Sequence, residues 1–143
     1  MSISVLLVDD EEGFIQTLAK RLTRRRMAVE IALSGQEALE RLESDPVDVV
    51  VVDVKMPGMN GIEVTRAVKR SHPLVEVILL TGHANLEASA EGMELGAFDY
   101  LLKPVSVDEL VYKIEDAHRK KTLQEQKIDR LRAEPASTPD SGG

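Results

Sequence analysis

Hydrophobic and polar positions follow two alternating regimes along the chain. Short runs rich in Val, Ile and Leu occupy residues 3–8, 28–33, 48–53, 75–81 and 98–102. Between them lie amphipathic stretches with the 3,4 spacing of a helix face. Five strand-like runs alternating with five helix-like runs predict an α/β fold with a parallel sheet. The runs Val49-Val50-Val51-Val52 and Val77-Ile78-Leu79-Leu80 are apolar on both faces, as central strands covered by helices on each side must be. A buried helix would also give such runs, but their shortness, Val/Ile content and flanking turn residues favour strands.

The helix boundaries carry their own signals. Ser34 with Glu37, and Ser106 with Glu109, have capping-box spacing. Asn60 is placed to cap a helix running through Glu63, Val64, Ala67 and Val68. Gly96 stands where a helix beginning near residue 85 should end in a left-handed cap. Right-handed crossovers between parallel strands then leave the open, doubly wound sheets as the main topologies. The last helix is expected from about Ser106 to about Arg132. Val107, Leu110, Ile114 and Ala117 form its core stripe, and Lys121, Gln124, Ile128 and Leu131 continue the spacing. Lys121 and Gln124 put polar groups on that seam, which weakens any coiled-coil signal. The chain therefore divides into a domain over residues 1–120, a helical extension over 121–133 (a linker or dimerising helix), and a disordered tail over 134–143 rich in Pro, Ser and Gly.

Composition narrows the function classes. A length of 143 residues suits one domain. The absence of cysteine excludes a disulfide scaffold, a thiolate metal site and a cysteine nucleophile, and fits a reducing, cytoplasmic setting. The net charge is −7, and the acidic residues concentrate in the first 118 positions, which argues against nucleic-acid binding by the body of the domain. The apolar stretch over residues 47–54 is broken by Asp48 and Asp53 and is far too short to span a membrane. No basic segment followed by an apolar core marks the N-terminus as a signal peptide. His72 and His118 read as surface residues at helix ends, so zinc has little support.

In a parallel α/β sheet, chemistry collects at the C-terminal ends of the strands. The first strand ends at Asp9-Asp10, the third at Asp53, the fourth at Thr81 and the fifth at Lys103-Pro104; the second ends without a reactive group. Three carboxylates on neighbouring strand ends repel one another, and at least one pKa should rise unless a counter-charge is supplied. Hard oxygen ligands with room for water suit Mg²⁺. Lys103 adds a fixed positive charge and Thr81 a hydroxyl donor. That set suits phosphoryl transfer to a carboxylate, giving an aspartyl phosphate. Asp53 is the best nucleophile, because it stands alone before a turn that can expose it. Asp9 and Asp10 are better placed as a metal-binding pair, whereas Glu11 and Glu12 read as the acidic first turn of a helix.

The chain resembles the receiver domain of bacterial two-component response regulators. The resemblance covers residues 3–120 and rests on Val8-Asp9-Asp10-Glu11-Glu12, on residues 52–61 (Val-Asp-Val-Lys-Met-Pro-Gly-Met-Asn-Gly), on Leu80-Thr81-Gly82 and on residues 96–104 (Gly-Ala-Phe-Asp-Tyr-Leu-Leu-Lys-Pro). Each motif alone is weak; in this order and spacing they are specific. The resemblance implies a flavodoxin-like, doubly wound five-stranded sheet in the order 2-1-3-4-5 with five helices. It implies that Asp53 accepts a phosphoryl group from a sensor histidine kinase or phosphotransfer protein. It further implies that Mg²⁺ is held by Asp10, Asp53 and the backbone carbonyl of Lys55, with Asp9 assisting through water, and that Lys103 pairs with the phosphoryl oxygens. Thr81 and Tyr100 would be the switch residues, and the Lys103–Pro104 peptide would be cis. The switch would remodel the face of the fourth helix, fifth strand and fifth helix for partner binding or homodimerisation. Lys55 and His83, two residues beyond Asp53 and Thr81, would rim the site and alter the phosphate's lifetime.

Two other readings stand beside this one. An Mg²⁺-dependent phosphatase or phosphotransferase would use the same nucleophile, but would normally place an acid where Lys55 stands, and no capping domain is evident. A degenerate receiver acting only as a binding module would lack the complete acidic set.

Overall fold

The computed structural model describes residues 2–133; the expected tail over 134–143 lies outside them. The elements in chain order are β1 (Ser4–Val8), α1 (Glu12–Arg24), β2 (Ala28–Ala32), α2 (Gly35–Ser44), β3 (Val49–Asp53), α3 (Gly61–Ser71), β4 (Glu76–Thr81), α4 (Leu86–Glu94), β5 (Asp99–Leu102) and α5 (Val107–Ala133). One 3₁₀ turn, His83–Asn85, precedes α4. The five strands form a single parallel sheet in the order β2-β1-β3-β4-β5.

The period-two alternation of a strand sorts the core into two layers. Leu6, Val8, Val50, Val52, Val77 and Leu79 pack against α2 and α3. Val5, Leu7, Val49, Val51, Ile78, Leu80 and Leu101 pack against α1 and α5 through Ile15, Leu22, Leu110 and Ile114. Complete burial of one such Val or Leu side chain contributes about 2 kcal/mol, so register is strongly specified. A one-residue slip of β3 would turn its apolar set to the wrong layer. In the observed register Val8 is level with Val52, and Asp53 with Leu80. The residue that follows β1 is Asp9, which the register brings to the height of Asp53.

The caps differ in detail from the sequence expectation. Ser34 Oγ accepts the Glu37 N–H at 3.0 Å, but the Glu37 carboxylate accepts from Leu33 N–H instead of Ser34. Ser106 Oγ accepts the Glu109 N–H at 3.2 Å, with no return bond from Glu109 among the described residues. The complete capping box is at Asn60 and Glu63, where both N–H groups find the opposite side chain at 2.9 Å. At Gly96 φ is +110°; Ala97 N–H donates to Gly92 C=O and Gly96 N–H to Met93 C=O, the bond pattern of a Schellman stop. His72 does cap α3, but His118 lies in the middle of α5, half-buried, because that helix continues to Ala133.

Candidate functional site

Side-chain parity assembles the site. Asp9 shares its side of the sheet with Val5 and Leu7, Asp53 with Val49 and Val51, and Lys103 with Leu101, all of which face α1 and α5. Asp9 is fully buried, and the Asp53 side chain is 10% exposed. The Lys103 ammonium lies 3.3 Å from an oxygen of each and 3.8 Å from Glu11. It also sits 4.6 Å above the Phe14 ring of α1, a cation–π contact that fixes its height. The Lys103–Pro104 peptide is cis, and Lys103 N–H donates to Thr81 C=O at 2.8 Å.

Asp10 is exposed, and one oxygen from each of Asp9, Asp10 and Asp53 lies within 4.8 Å of the others. Asp9 also accepts the Glu11 N–H at the start of α1. The β3–α3 connection must pass close by the end of β3. A Cβ on Gly61 would stand 2.4 Å from the Asp53 carbonyl oxygen, so only glycine lets α3 begin there.

The electrostatics follow from burial. Burial, and then the negative charge of Asp9, push the Asp53 carboxyl from 3.8 up to about 6 against the pull of Lys103. Burial also raises Asp9, although the Glu11 N–H and Lys103 oppose it. Burial alone would lower Lys103, but the carboxylates of Asp53 and Asp9 outweigh it and hold the lysine above its ordinary value. One lysine against three carboxylates leaves unmet negative charge. A set of hard oxygen donors carrying that excess fits Mg²⁺.

The cleft above these groups is lined by Asp10, Glu11, Asp53, Lys55, Asn85 and Lys103, among others. Thr81 is buried, its hydroxyl donating to the Gly82 carbonyl at 3.2 Å, and it does not line the cleft. His83 is exposed in the 3₁₀ turn and is also absent from the lining; Asn85 occupies that wall. Tyr100 is exposed on β5. Sequence reasoning missed Phe14 and Asn85, and it confined Glu11 to a helix terminus although the residue also lines the cleft. No helix among the described residues is long and apolar enough to cross a membrane.

Comparison with known proteins agrees with this geometry. A family model described as the response regulator receiver domain matches residues 5–115. The DNA-binding transcriptional regulator NtrC of Klebsiella pneumoniae is 36% identical over 111 residues, covering 78% of this chain and 24% of NtrC. The chain thus spans about a quarter of the length of that relative. A response regulator receiver domain protein from Clostridium thermocellum superposes with a TM-score of 0.82 at 35% identity, covering 85% of this chain and 98% of that one. The crystal structure of adenylate cyclase from Rhodopirellula baltica superposes with a TM-score of 0.88 at 31% identity, covering 94% of this chain and 100% of that one. By motif order, strand order and the acidic cleft at the strand ends, the chain belongs to the response regulator receiver domain family of two-component signalling.

Proposed function

We propose that Asp53 is the phosphoacceptor and that this chain acts as a switch. The observation that carries the reading is the position of the Asp53 carboxylate, at the mouth of a cleft and 3.3 Å from the Lys103 ammonium. An Asp53 oxygen attacks the phosphorus of a phosphohistidine on a sensor kinase or phosphotransfer protein. The new O–P bond replaces the breaking P–N bond, and the departing imidazole takes up a proton. Lys103 stands ready to neutralise a phosphoryl oxygen. Asp10, Asp53 and the Lys55 carbonyl would hold Mg²⁺, with Asp9 acting through water; when bound, the ion supplies further neutralisation of phosphoryl charge.

Thr81 and Tyr100 are assigned the switch. The Thr81 hydroxyl, now satisfied by the Gly82 carbonyl, would turn to a phosphoryl oxygen, and Tyr100 would leave solvent for the space released. The surface altered in this way carries exposed Leu86, Met93, Tyr100, Leu102 and Tyr112 on α4, β5 and α5. It suits a partner protein or a second copy of the chain, and the α5 extension offers a second dimerising surface.

Intact mass after incubation with Mg²⁺ and acetyl phosphate tests the assignment. The expected result is a hydroxylamine-labile gain of one phosphoryl group in the wild type and none in Asp53→Asn. A gain that persists in the variant overturns it. Turnover of an external phosphoester would favour the phosphatase reading instead.

A further inference from the structure

A second charged cluster lies at the opposite end of the same strands. Glu76 opens β4 and Asp48 immediately precedes β3, so each stands five residues upstream of a site residue, Thr81 and Asp53 respectively. Glu76 is fully buried, and neither of its oxygens has a hydrogen-bond partner among the described residues. Its parity with Ile78 and Leu80 turns it toward α5. Two ammonium groups approach it, Lys69 of α3 at 3.8 Å and Lys120 of α5 at 3.6 Å. Lys69 also donates to the Pro73 and Val75 carbonyls, so the connection between α3 and β4 already holds it in place. Lys120 has no such backbone tether among the described residues; its ammonium lies 6.0 Å from the centroid of the Phe98 ring.

The next residue repeats the arrangement. Lys121 is 13% exposed and lies 3.2 Å from Asp48, whose other oxygen accepts the Ser4 N–H of β1 at 2.9 Å. Lys121 also donates to Glu125 one turn further along α5. Burial alone would lower Lys121, but the carboxylates of Glu125 and Asp48 outweigh it and hold it charged. The apolar anchorage of α5 ends at Ala117. Beyond it most side chains face solvent, Leu123 and Leu131 among them. Twelve residues of α5 follow Lys121, which at 1.5 Å per residue makes an arm of about 18 Å.

We propose that Glu76 and Asp48 clamp Lys120 and Lys121, and that this clamp fixes the angle at which the α5 arm leaves the domain. The two lysines are adjacent and therefore about 100° apart around the helix. They reach acids at the bases of two different strands, so the pair resists both bending and rotation. Without the clamp, residues after Ala117 would be an isolated helix of under twenty residues, which frays readily in water. A fixed exit angle sets the orientation in which the arm meets whatever it binds.

The chain has no cysteine, so paired spin labels can be placed at will, at Lys20→Cys on α1 and Asp129→Cys on the arm. Pulsed electron resonance should give a narrow distance distribution in the otherwise wild-type protein. Lys120→Met with Lys121→Met should widen it at least twofold, and Asp48→Asn should widen it to a lesser degree. If the double variant fails to fold, Lys121→Met, which leaves Glu76 both of its lysines, carries the test. A broad distribution in the parent, or a width that Lys121→Met and Asp48→Asn leave unchanged, overturns the clamp. Phosphorylation at Asp53, measured by mass in the same samples, reports separately on the proposed function.

Discussion

Replacing Asp53 by Asn should stabilise the domain in metal-free buffer at neutral pH. The Asp53 carboxyl titrates near 3.8 when solvated and at about 6 in the fold. Well below pH 3.8 it is protonated in folded and unfolded chains alike and contributes nothing. As pH rises through 3.8 toward about 6 the unfolded chain releases this proton while the folded one retains it. Stability is therefore lost through that window, and the full penalty persists above it. A displacement from 3.8 to about 6 corresponds to about 3 kcal/mol at pH 7.5. Asn carries no charge and keeps nearly the same volume, so Asp53→Asn should recover most of that penalty. At roughly 4 °C per kcal/mol for a domain of this size, the melting temperature should rise by about 10 °C.

Thermal unfolding followed by circular dichroism in EDTA, at intervals from pH 4 to pH 8, measures the effect. The difference between variant and wild type should be small at pH 4, grow past pH 6 and then level. Mg²⁺ should narrow the difference at pH 7.5, because it binds the folded wild type more tightly than the variant. A variant no more stable than wild type at pH 7.5 in EDTA would refute the reasoning. So would a gain that is the same at every pH, since that would place its origin in packing and not in charge.

Lys103→Met removes the cation that opposes two buried carboxylates. It should destabilise the metal-free domain by about 2 kcal/mol in urea unfolding and slow acetyl phosphate labelling at least tenfold; an unchanged labelling rate would remove Lys103 from the reaction. Gly61→Ala places a Cβ 2.4 Å from the Asp53 carbonyl oxygen and should cost about 2 kcal/mol in the same unfolding assay, whereas no loss would mean that the α3 entry can shift. Lys55 lines the cleft and His83 does not, so Lys55→Asn should change the half-life of the aspartyl phosphate several-fold and His83→Glu much less. The Lys55→Asn, His83→Glu double variant losing phosphate at the wild-type rate would discard the rim hypothesis.

Much of this arrangement is legible in the sequence because a strand has period two. Once Leu7, Val51 and Leu101 are assigned to one layer, Asp9, Asp53 and Lys103 must project on the same side, and the ends of a parallel sheet bring them to one height. Residues whose reach depends on rotamer or local turn geometry were not legible. Glu11 carries the ordinary mark of a helix N-terminus, and nothing in its spacing shows that its carboxylate approaches Lys103. The short 3₁₀ turn that exchanges His83 for Asn85 on the cleft wall leaves no periodic signal. Phe14 reads as one more apolar position of α1. Glu76 did leave a signal. It is a charged residue opening a run otherwise apolar on both faces, in a chain whose last helix puts polar Lys121 where a core stripe should continue.

The two ends of β3 and β4 handle buried charge in opposite ways, and that contrast explains why the proposed chemistry belongs to one end. At the base, Glu76 and Asp48 face Lys69, Lys120 and Lys121, so each acid has a cation from a neighbouring helix. Compensated in this way, the groups have little to gain from a ligand and serve to hold elements together. At the other end, Asp9, Asp10 and Asp53 share Lys103, and the deficit is visible in the upward displacement of Asp53 and Asp9. Adding a second lysine there would stabilise the fold and remove the drive to bind a divalent cation. On the proposed function, the instability of the metal-free cleft would be the physical basis of its metal affinity, and the Asp53→Asn gain in stability and the loss of phosphoacceptance would be two readings of one buried charge.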